Sequence, residues 1–481
     1  MNHPGKGLRQ GAELRPSRTG CLLDWELEAE SRKSKAEPSP GKRNYRSVDS
    51  DHPLKIRKHH IQLLTLGFQL SAAGAARHRG AARDSHIMQP SSHRSIDLLD
   101  RNLYEGDPEP TYAWLRSHAP VYWDETNQLW GISRHADVVA ISRDTKRFSS
   151  AEGSRPNLPG DESMINQDDP RHQALRRIFA RDITPRGAQR FEALVRRITA
   201  ELLDAVASRG KCDVVGDLAV PLPVRLIVDV LGFDSTQWRR YAEWAQVTMA
   251  AGGGPRYVTE EAMLAAVEFF DHARQVLEAR RTSPKDDWLS LMLARAEEGP
   301  AARDTDALAS ECLLILDGGS DTTRHVIAGG TLALLDNPGQ LEMLVRQPER
   351  ISTAVEEMVR WVTPILNMRR TATRDTELHG QKIRKGDQLL LMYASANRDE
   401  RVFENPNRFD VARNPNPHIA FGIGAHFCLG ANLARMELRV MFEQMLSRMR
   451  GLRRADERAP RYVATAFARG LASLPVEFDA A

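Results

Sequence analysis

The longest run of helical periodicity in the chain covers residues 306–336, and it limits the folds that the sequence can adopt. Its apolar positions recur at three- and four-residue spacing, pass a glycine pair, and end at Asn337-Pro338. They are Leu308, Cys312, Ile315, Leu316, Val326, Ile327 and Leu332. At 1.5 Å per residue such a helix is about 45 Å long. We therefore expect it to cross the whole core of one large domain.

The rest of the sequence after residue 87 indicates several more amphipathic helices and a few short strands. Helical periods cover residues 112–118, 135–143, 188–207, 259–281 and 431–449. Residues 121–123 and 129–132 flank a polar stretch and predict a β-hairpin, and turn residues divide 377–394 into strands. The predicted fold class is mainly α with small β-sheets (α+β), with the strands confined to the two ends of the domain.

The first 87 residues differ from the rest in charge. They contain 16 Lys and Arg against 9 Asp and Glu, whereas the remainder contains 51 against 55. We predict a disordered or non-native basic extension over residues 1–87 and a folded domain over 88–481, so that a chain starting at Met88 folds and works. A targeting peptide and a nucleic-acid-binding arm are the alternatives. Acidic residues within 24–30 and the lack of a folded basic face disfavour them.

Composition excludes several classes of protein. Hydrophobic residues make up 41% and charged residues 27%, which is a globular balance. No stretch of 18 apolar residues is present, so a membrane-spanning protein is excluded. Four cysteines in 481 residues are too few for a disulfide scaffold. We expect a cytoplasmic protein without a nucleic-acid partner.

A single cysteine lies in a glycine-rich segment, FGIGAHFCLG at residues 421–430, directly before the last long helix. The glycines let the backbone turn tightly and approach a flat, bulky group. The helix dipole and free N–H groups beside Cys428 favour a thiolate, and such donors tune a metal-bound sulfur. This pattern suits axial ligation of haem iron by Cys428.

Other roles for Cys428 fit the sequence less well. A free cysteine is ordinarily a small buried hydrophobe. Zinc is disfavoured because the cysteines at 21, 212, 312 and 428 show no C-x2–4-C spacing. A nucleophile would need a committed histidine and an orienting group, and no such local signature is present. The full run of fixed positions favours the haem ligand.

Residues 421–430 resemble the haem-binding signature F-x-x-G-x-x-x-C-x-G of the cytochrome P-450 superfamily. They also carry the histidine two residues before the cysteine, His426, that is common in soluble bacterial members. The resemblance covers residues 95–480. It implies one haem-thiolate domain with a long central helix, heme b as the cofactor, and Cys428 as the axial iron ligand.

The glycine pair of the long helix belongs to the run Gly318-Gly319-Ser320-Asp321-Thr322. A glycine inside a helix costs about 1 kcal/mol relative to alanine, so a pair there needs a reason. The run resembles the family's oxygen-activation motif, which implies that Gly319 borders the cofactor, that Thr322 hydrogen-bonds the activated oxygen, and that Asp321 relays protons. On the residues alone, an N-cap at Ser320-Asp321 that starts a new helix is the alternative.

Glu357 and Arg360 lie three residues apart and share a helix face. Alone, such a pair is more often a surface pair of little value. Here it resembles the family's E-x-x-R motif, and residues 405–409 resemble its later P-x-R-F segment. The resemblance implies a buried network of Glu357, Arg360 and Arg408 that anchors the cysteine loop, with Arg413 as a second candidate for the third member.

Four basic side chains resemble the family's contacts to the haem propionates: His172, Arg176, Arg370 and His426. His172 and Arg176 lie four residues apart on a predicted helix. Arg369 could substitute for Arg370. A solvated charge is the alternative for each of them.

The resemblance implies a monooxygenase that inserts one atom of O2 into an unactivated C–H bond. The electrons are expected from NAD(P)H through external proteins, a ferredoxin and its reductase, because no flavin-type glycine motif and no iron–sulfur cysteine cluster is present. Candidate docking residues are Arg176, Arg177, Arg181, Arg435 and Arg439. A peroxygenase and a non-catalytic haem sensor are alternatives, and the pair Asp321-Thr322 disfavours the peroxygenase.

Residues 361–371 and 414–418 are similar to those of actinobacterial steroid side-chain hydroxylases, which oxidise a terminal methyl of cholesterol or cholest-4-en-3-one. This similarity implies an apolar, sterol-like substrate, with methyl-branched lipids or terpenoids as alternatives. The candidate pocket residues, which could equally be core, are Met164, Ile165, Ile315, Gly319, Val362, Ile365 and Leu366.

Overall fold

The computed structural model describes residues 95–296 and 303–480. The extension predicted over residues 1–87 and the start at Met88 lie outside the described residues. The α-helices of the described part are α1 (Arg101–Glu105), α2 (Glu109–His118), α3 (His135–Arg143), α4 (Arg171–Ile178), α5 (Pro185–Gln189), α6 (Glu192–Ala207), α7 (Pro221–Leu231), α8 (Trp238–Ala251), α9 (Glu260–Thr282), α10 (Trp288–Arg295), α11 (Thr305–Asp336), α12 (Pro338–Arg346), α13 (Ile351–Val362), α14 (Tyr393–Ala396) and α15 (Ala431–Arg448).

The strands are short. They are β1 (Val121–Asp124), β2 (Leu129–Ile132), β3 (Phe148–Ser149), β4 (Lys211–Asp213), β5 (Met368–Ala372), β6 (Thr376–Leu378), β7 (Gln381–Ile383), β8 (Gln388–Leu391), β9 (Arg453–Arg454), β10 (Tyr462–Ala464), β11 (Arg469–Leu471) and β12 (Pro475–Glu477). The predicted fold class, mainly α with small sheets, is confirmed.

Helix α11 is continuous and lies at the centre of the fold. Asp304 caps its N-terminus by accepting a hydrogen bond from the backbone N–H of Ala307. Helices α7, α8, α9, α13 and α15 pack around it, which is why apolar residues occur on most of its faces. The long helix predicted from the sequence is confirmed, and the alternative of a new helix starting at Ser320-Asp321 is wrong.

One five-stranded sheet joins strands from residues 121–149 to strands from residues 368–391, with strand order β1-β2-β8-β5-β3. The predicted hairpin is confirmed as the antiparallel pair β1–β2, and β8 adds to β2 in parallel. The prediction that strands occur only at the two ends is wrong. Strand β4 follows a turn at Gly210, where φ is +59°, and pairs with β12 near the C-terminus. Residues 393 and 394, the end of the stretch 377–394 that the sequence predicts to form strands, belong instead to the short helix α14.

The apolar side chains form one large core around α11 and several smaller clusters under the sheet and the loops. One small cluster consists of Met249, Phe467 and Ala468, with Ile365 and Met368 packed against it. We call it the 249–467 cluster. Within the described residues, no helix is long and apolar enough to cross a membrane.

Candidate active site

The cysteine loop, residues 421–430, is held in shape by its own backbone and by a neighbouring helix. The N–H of Cys428 donates to the carbonyl of Phe421 over 2.8 Å. Gly422 and Gly424 have φ angles of +68° and +79°, which glycine adopts without strain. A Cβ at Gly424 would lie 2.6 Å from the backbone oxygen of Ser142 in α3. The loop therefore requires glycine at this position to approach α3.

Cys428 is the exposed member of the three cysteines in the described residues, whereas Cys212 and Cys312 are buried. Desolvation by the surrounding protein atoms raises the pKa of its thiol, because it disfavours the charged thiolate. The backbone N–H of Gly430 and the charges of Arg176 and Arg435 partly offset this rise in pKa. A coordinated metal ion would deprotonate such a thiol outright. The loop thus presents an accessible sulfur with a hydrogen-bond donor beside it, as a thiolate ligand requires.

Four basic side chains meet beside the cysteine loop. The rings of His172 and His426 lie 4.1 Å apart between centroids. Burial and the charges of Arg370, His172 and Arg176 lower the pKa of His426 to about 2. The structure therefore brings together all four residues that the sequence predicts to bind haem propionates, and the guanidinium charges of Arg176 and Arg370 suit two carboxylates.

The second wall of the site is one face of α11. Thr322 donates its hydroxyl hydrogen to the carbonyl of Gly318 over 2.8 Å. These residues lie one turn apart on the same face, and a Cβ built at Gly318 would meet nothing within 4 Å. This face of the helix therefore borders open space at the glycine and the threonine.

Gly319 does not have the role that the sequence predicts. A Cβ at this position would lie 2.7 Å from the side chain of Ile227 in α7. One residue further along a helix is a rotation of about 100°, so Gly319 points away from the face that Gly318 and Thr322 share. Its missing side chain lets α7 pack closely on α11, and the cofactor contact predicted for it is corrected to Gly318.

Asp321 is buried and doubly paired within α11. Its carboxylate lies 2.7 Å from Arg324 Nη2 and 3.0 Å from His325 Nε2. Burial raises the pKa of this carboxyl, but the charges of Arg324 and His325 outweigh burial and lower it. Arg324 also donates to Gln246, an exposed residue of α8. Asp321 is thus an ionised side chain connected toward the surface, next in sequence to Thr322.

The motif pair Glu357 and Arg360 forms a fully buried, bidentate ion pair at 2.7 Å for both contacts. Arg413 adds a third contact, from Nε to Glu357 Oε2 over 3.1 Å. Arg360 also donates to the carbonyls of Asn397 and Pro406. The network therefore links α13 to the segment that leads into the cysteine loop.

The prediction that the Arg408 side chain is the third member of this network is wrong. Phe409 is buried against Trp361, so the neighbouring Arg408 side chain points into solvent. Arg408 contributes only its carbonyl, which accepts from Arg360 and Arg413. Arg413, the second candidate, provides the guanidinium.

The predicted pocket residues do not form one group. Met164 donates its backbone N–H to Glu311, which lies one turn before Ile315 on α11. Met164 therefore lies against the stretch of α11 that carries Ile315. Ile165, next to Met164 in sequence, is half-buried. Val362 packs on Gly329, three turns beyond Gly318, and Leu366 lies in a separate core cluster. Val362 and Leu366 therefore pack against other parts of the core, which is the alternative that the sequence leaves open, and their pocket roles stay predictions. Ile365 lies against the 249–467 cluster.

Two charged residues of this region were not predicted from the sequence. Asp317, one position before the glycine pair, accepts a hydrogen bond from Thr248 over 2.9 Å, and burial raises its pKa well above the ordinary value. Arg155 lies over the ring of Phe467. Asp317 and Asp321 at four-residue spacing on an otherwise apolar helix are a signal that could have identified the first. No sequence pattern marks Arg155.

Two of the predicted docking residues are paired within the protein. Arg435 bonds to Glu356 at 2.7 and 2.9 Å, and Arg439 bonds to Glu192 and Glu443 at 2.9 Å each. They therefore do not supply free positive charge, and the prediction is corrected for both. Arg177 and Arg181 are exposed on and beside α4.

The residues present fit a thiolate-ligated haem. An accessible sulfur, a cationic cluster for two propionates and an open helix face occur together, as the flat, dianionic group requires. Outside residues 1–94, 297–302 and 481, no group of three or more His, Cys, Asp or Glu side chains could hold a metal ion.

Comparisons with known proteins agree with this site. A family model described as cytochrome P-450 matches residues 229–461. The chain is 40% identical over 387 residues to the steroid C26-monooxygenase of Mycobacterium tuberculosis, covering 80% of this chain and 97% of that protein. It is 37% identical to the methyl-branched lipid omega-hydroxylase of the same species, covering 80% and 94%.

Solved structures show the same fold. The cytochrome P-450 CYP109E1 of Bacillus megaterium, in complex with testosterone, matches with a TM-score of 0.73 and 30% identity, over 78% of this chain and 98% of that one. The chain therefore belongs to the cytochrome P-450 family. It is a haem-thiolate monooxygenase, an enzyme class that uses O2, external electron donors and hydrophobic substrates.

We predict that Arg413→Met destabilises the enzyme and that Arg408→Met does not. The first change removes one partner of a buried carboxylate and is expected to cost about 2–4 kcal/mol, whereas the second alters an exposed side chain and is expected to stay within about 0.5 kcal/mol. Thermal unfolding and haem content of the two purified variants measure the difference. Equal melting temperatures would contradict the assignment of Arg413 to the network.

Proposed function

We propose that this monooxygenase hydroxylates a terminal methyl group on the side chain of a steroid such as cholesterol or cholest-4-en-3-one. The observation that carries the proposal is the 38–40% identity to three proteins named steroid C26-monooxygenase, over at least 97% of each.

The cofactor that we propose is heme b, with Cys428 as its axial ligand and with His172, Arg176, Arg370 and His426 as the partners of its propionates. When bound, a thiolate-ligated haem supplies the oxidising power that inserts an oxygen atom into a C–H bond. The protein residues position the substrate, exclude water and manage protons.

Thr322 and Asp321 are the residues that we propose for proton handling. Thr322 keeps its hydroxyl on the open face of α11 by its bond to Gly318, from which it can hydrogen-bond oxygen-derived groups in the site. Asp321 is held ionised by Arg324 and His325 and connects toward the surface, so it can accept protons from solvent and pass them inward.

The electron donors that we propose are a ferredoxin and its reductase with NAD(P)H, in the cytoplasm, where such soluble carriers and reduced nicotinamides are present. A surface hollow beside the cysteine loop supports a docking site there. Its lining includes Gln173, Arg177, Ala180 and Ala425. Arg177 at this hollow and Arg181, whose side chain is 82% exposed, offer positive charge to an acidic partner.

The domain assignment that we propose is a haem domain over residues 88–481, preceded by a basic extension without a role in catalysis. The relative with 97% coverage matches over 387 residues, and that length supports the proposal.

We expect the full chain, loaded with haem, to hydroxylate a terminal methyl of cholest-4-en-3-one when ferredoxin, reductase and NAD(P)H are supplied. Mass spectrometry of the product checks the reaction, and a methyl-branched fatty acid tests the second candidate, which the 37% identical omega-hydroxylase supports. Cys428→Ala is the control. It removes the ligand sulfur, so it should lose both the haem-thiolate spectrum of the reduced carbon monoxide complex and the product.

Three results would contradict this function. Hydroxylation of the fatty acid alone would favour the methyl-branched lipid. Product with peroxide but not with the ferredoxin system would indicate a peroxygenase. A thiolate spectrum without turnover of any lipid would indicate a haem sensor.

We predict that Thr322→Ala lowers the product formed per NAD(P)H oxidised by several-fold, because the open face of α11 then lacks its hydroxyl group. Thr322→Ser keeps a hydroxyl and should retain most of the coupling. Product and NAD(P)H are measured in the same reactions, with the carbon monoxide spectrum as a check on the haem site. Full coupling in Thr322→Ala would remove Thr322 from proton handling.

We predict that the double change Arg177→Gln and Arg181→Gln raises the ferredoxin concentration needed for half-maximal electron transfer by about three- to tenfold at low salt, because both charges attract an acidic partner. High salt should reduce the difference from the unchanged enzyme. Arg239→Gln, an exposed change on α8, is the matched control. An unchanged ferredoxin dependence would place the docking surface elsewhere.

A further inference from the structure

Arg155 lies where the loop after β3 meets the end of α8, strand β5 and the β10–β11 turn. Its guanidinium carbon is 3.9 Å from the centre of the Phe467 ring, and its Nη1 is 3.2 Å from the sulfur of Met368. A Cβ at Gly252, just after α8, would lie 3.2 Å from its Nε. The side chain therefore borders the 249–467 cluster.

Two connections place this cluster beside the haem site. Met368 and Arg370 lie two residues apart on β5, so their side chains share a face about 7 Å apart, and Arg370 belongs to the cationic cluster at the cysteine loop. Asp317, directly before Gly318, interacts electrostatically with Arg155. Arg155 thus lies between the proposed propionate contacts and the open stretch of α11.

The hydrogen-bond donors of Arg155 are mostly unused. A guanidinium has five N–H groups, and the acceptor found for this one is a thioether, which accepts only weakly. Among residues 95–296 and 303–480, no carboxylate lies within 4.0 Å of it. By contrast, the buried Arg360 meets both oxygens of Glu357 and two carbonyls.

A cation in such surroundings is costly unless an acceptor reaches it, because burial removes water without supplying a partner. Burial lowers the pKa of Arg155 to about 10, so the side chain remains charged at neutral pH. Its nitrogens are not sealed within protein, unlike Nε and Nη2 of Arg303, which have neither partner nor solvent. An incoming ligand can therefore reach the donors of Arg155.

We propose that Arg155 determines specificity by donating hydrogen bonds to an oxygen of the substrate. The substrate class is an apolar lipid with an accepting oxygen, either the ketone of a sterone or the carboxylate of a branched fatty acid. The inference rests on the proposed function, which supplies the apolar substrate and its methyl terminus.

A purely structural role is the competing explanation. Arg155 over Phe467 is a cation–π contact of about 0.5–2 kcal/mol, which could simply hold the loop between β3 and α4 against the β10–β11 turn. Such a contact would affect all ligands equally. Discrimination between an oxygenated ligand and its hydrocarbon therefore separates the two roles.

The test compares ligand pairs on the haem-loaded full chain. Dissociation constants are read from the ligand-induced spin-state shift for cholest-4-en-3-one against cholest-4-ene, and for phytanic acid against phytane. In the unchanged enzyme the oxygenated member of at least one pair should bind about 10- to 100-fold more tightly, as a hydrogen bond to a charged group provides.

Arg155→Met should reduce that ratio to near one, because it keeps an unbranched apolar chain and removes the donors, and Arg155→Lys should retain part of the ratio. The matched control is Arg240→Met, whose guanidinium carbon lies 4.4 Å from the Trp244 ring centre; its ratio should not change. Loss of selectivity in the ketone pair identifies a sterone, and loss in the acid pair identifies a fatty acid.

The outcomes also separate this inference from the proposed function. Equal binding within both pairs, or an unchanged ratio in Arg155→Met, overturns the role of Arg155 alone. A fall in haem content with an unchanged ratio assigns Arg155 to the propionates and also overturns it. An Arg155-dependent ratio in the acid pair without steroid turnover overturns the steroid and leaves the inference standing. If no ligand shifts the spin state of the haem, the result counts against both the role of Arg155 and the proposed function.

Discussion

The position of the cysteine loop depends on the hydrogen bonds that the buried carboxylate of Glu357 accepts. It accepts hydrogen bonds from Arg360 and Arg413 and from the backbone N–H of Asp410. The same carboxylate therefore binds both α13 and the segment before residue 421. Removing a partner from a buried ion costs several kcal/mol. The segment therefore stays fixed against α13, and it delivers the loop to the same place beside α11 in every folded molecule.

Features set by local sequence could be predicted well. The 306–336 period became α11 because helical spacing extends over nine turns, and the glycine-rich run identified Cys428 because only a few residue types tolerate that loop. The cationic cluster was predicted residue by residue, although His172 and His426 are 254 positions apart. Here the motif pattern, rather than local propensity, carried the information.

Features set by the direction of a side chain could not be predicted. Gly318 and Gly319 are equivalent in the sequence, and only the position of Ile227 shows which of them faces α7. Arg408 and Arg413 have the same chemistry, and burial of Phe409 decides which of them reaches Glu357. Val362 and Leu366 are apolar, as pocket residues are, and the structure packs them against other parts of the core. Such outcomes depend on tertiary contacts, which a single sequence does not display.

The parallel pairing of β2 with β8 has a consequence for biosynthesis. It joins residues 130–132 to 389–391, and the cysteine that completes the site follows at 428. A ribosome must therefore finish most of the chain before the five-stranded sheet can form, and until then β2 lacks its partner β8. Contacts of such sequence separation form slowly, so acquisition of the prosthetic group is a late event, and the apolar surface of β2 stays exposed to aggregation until β8 is made.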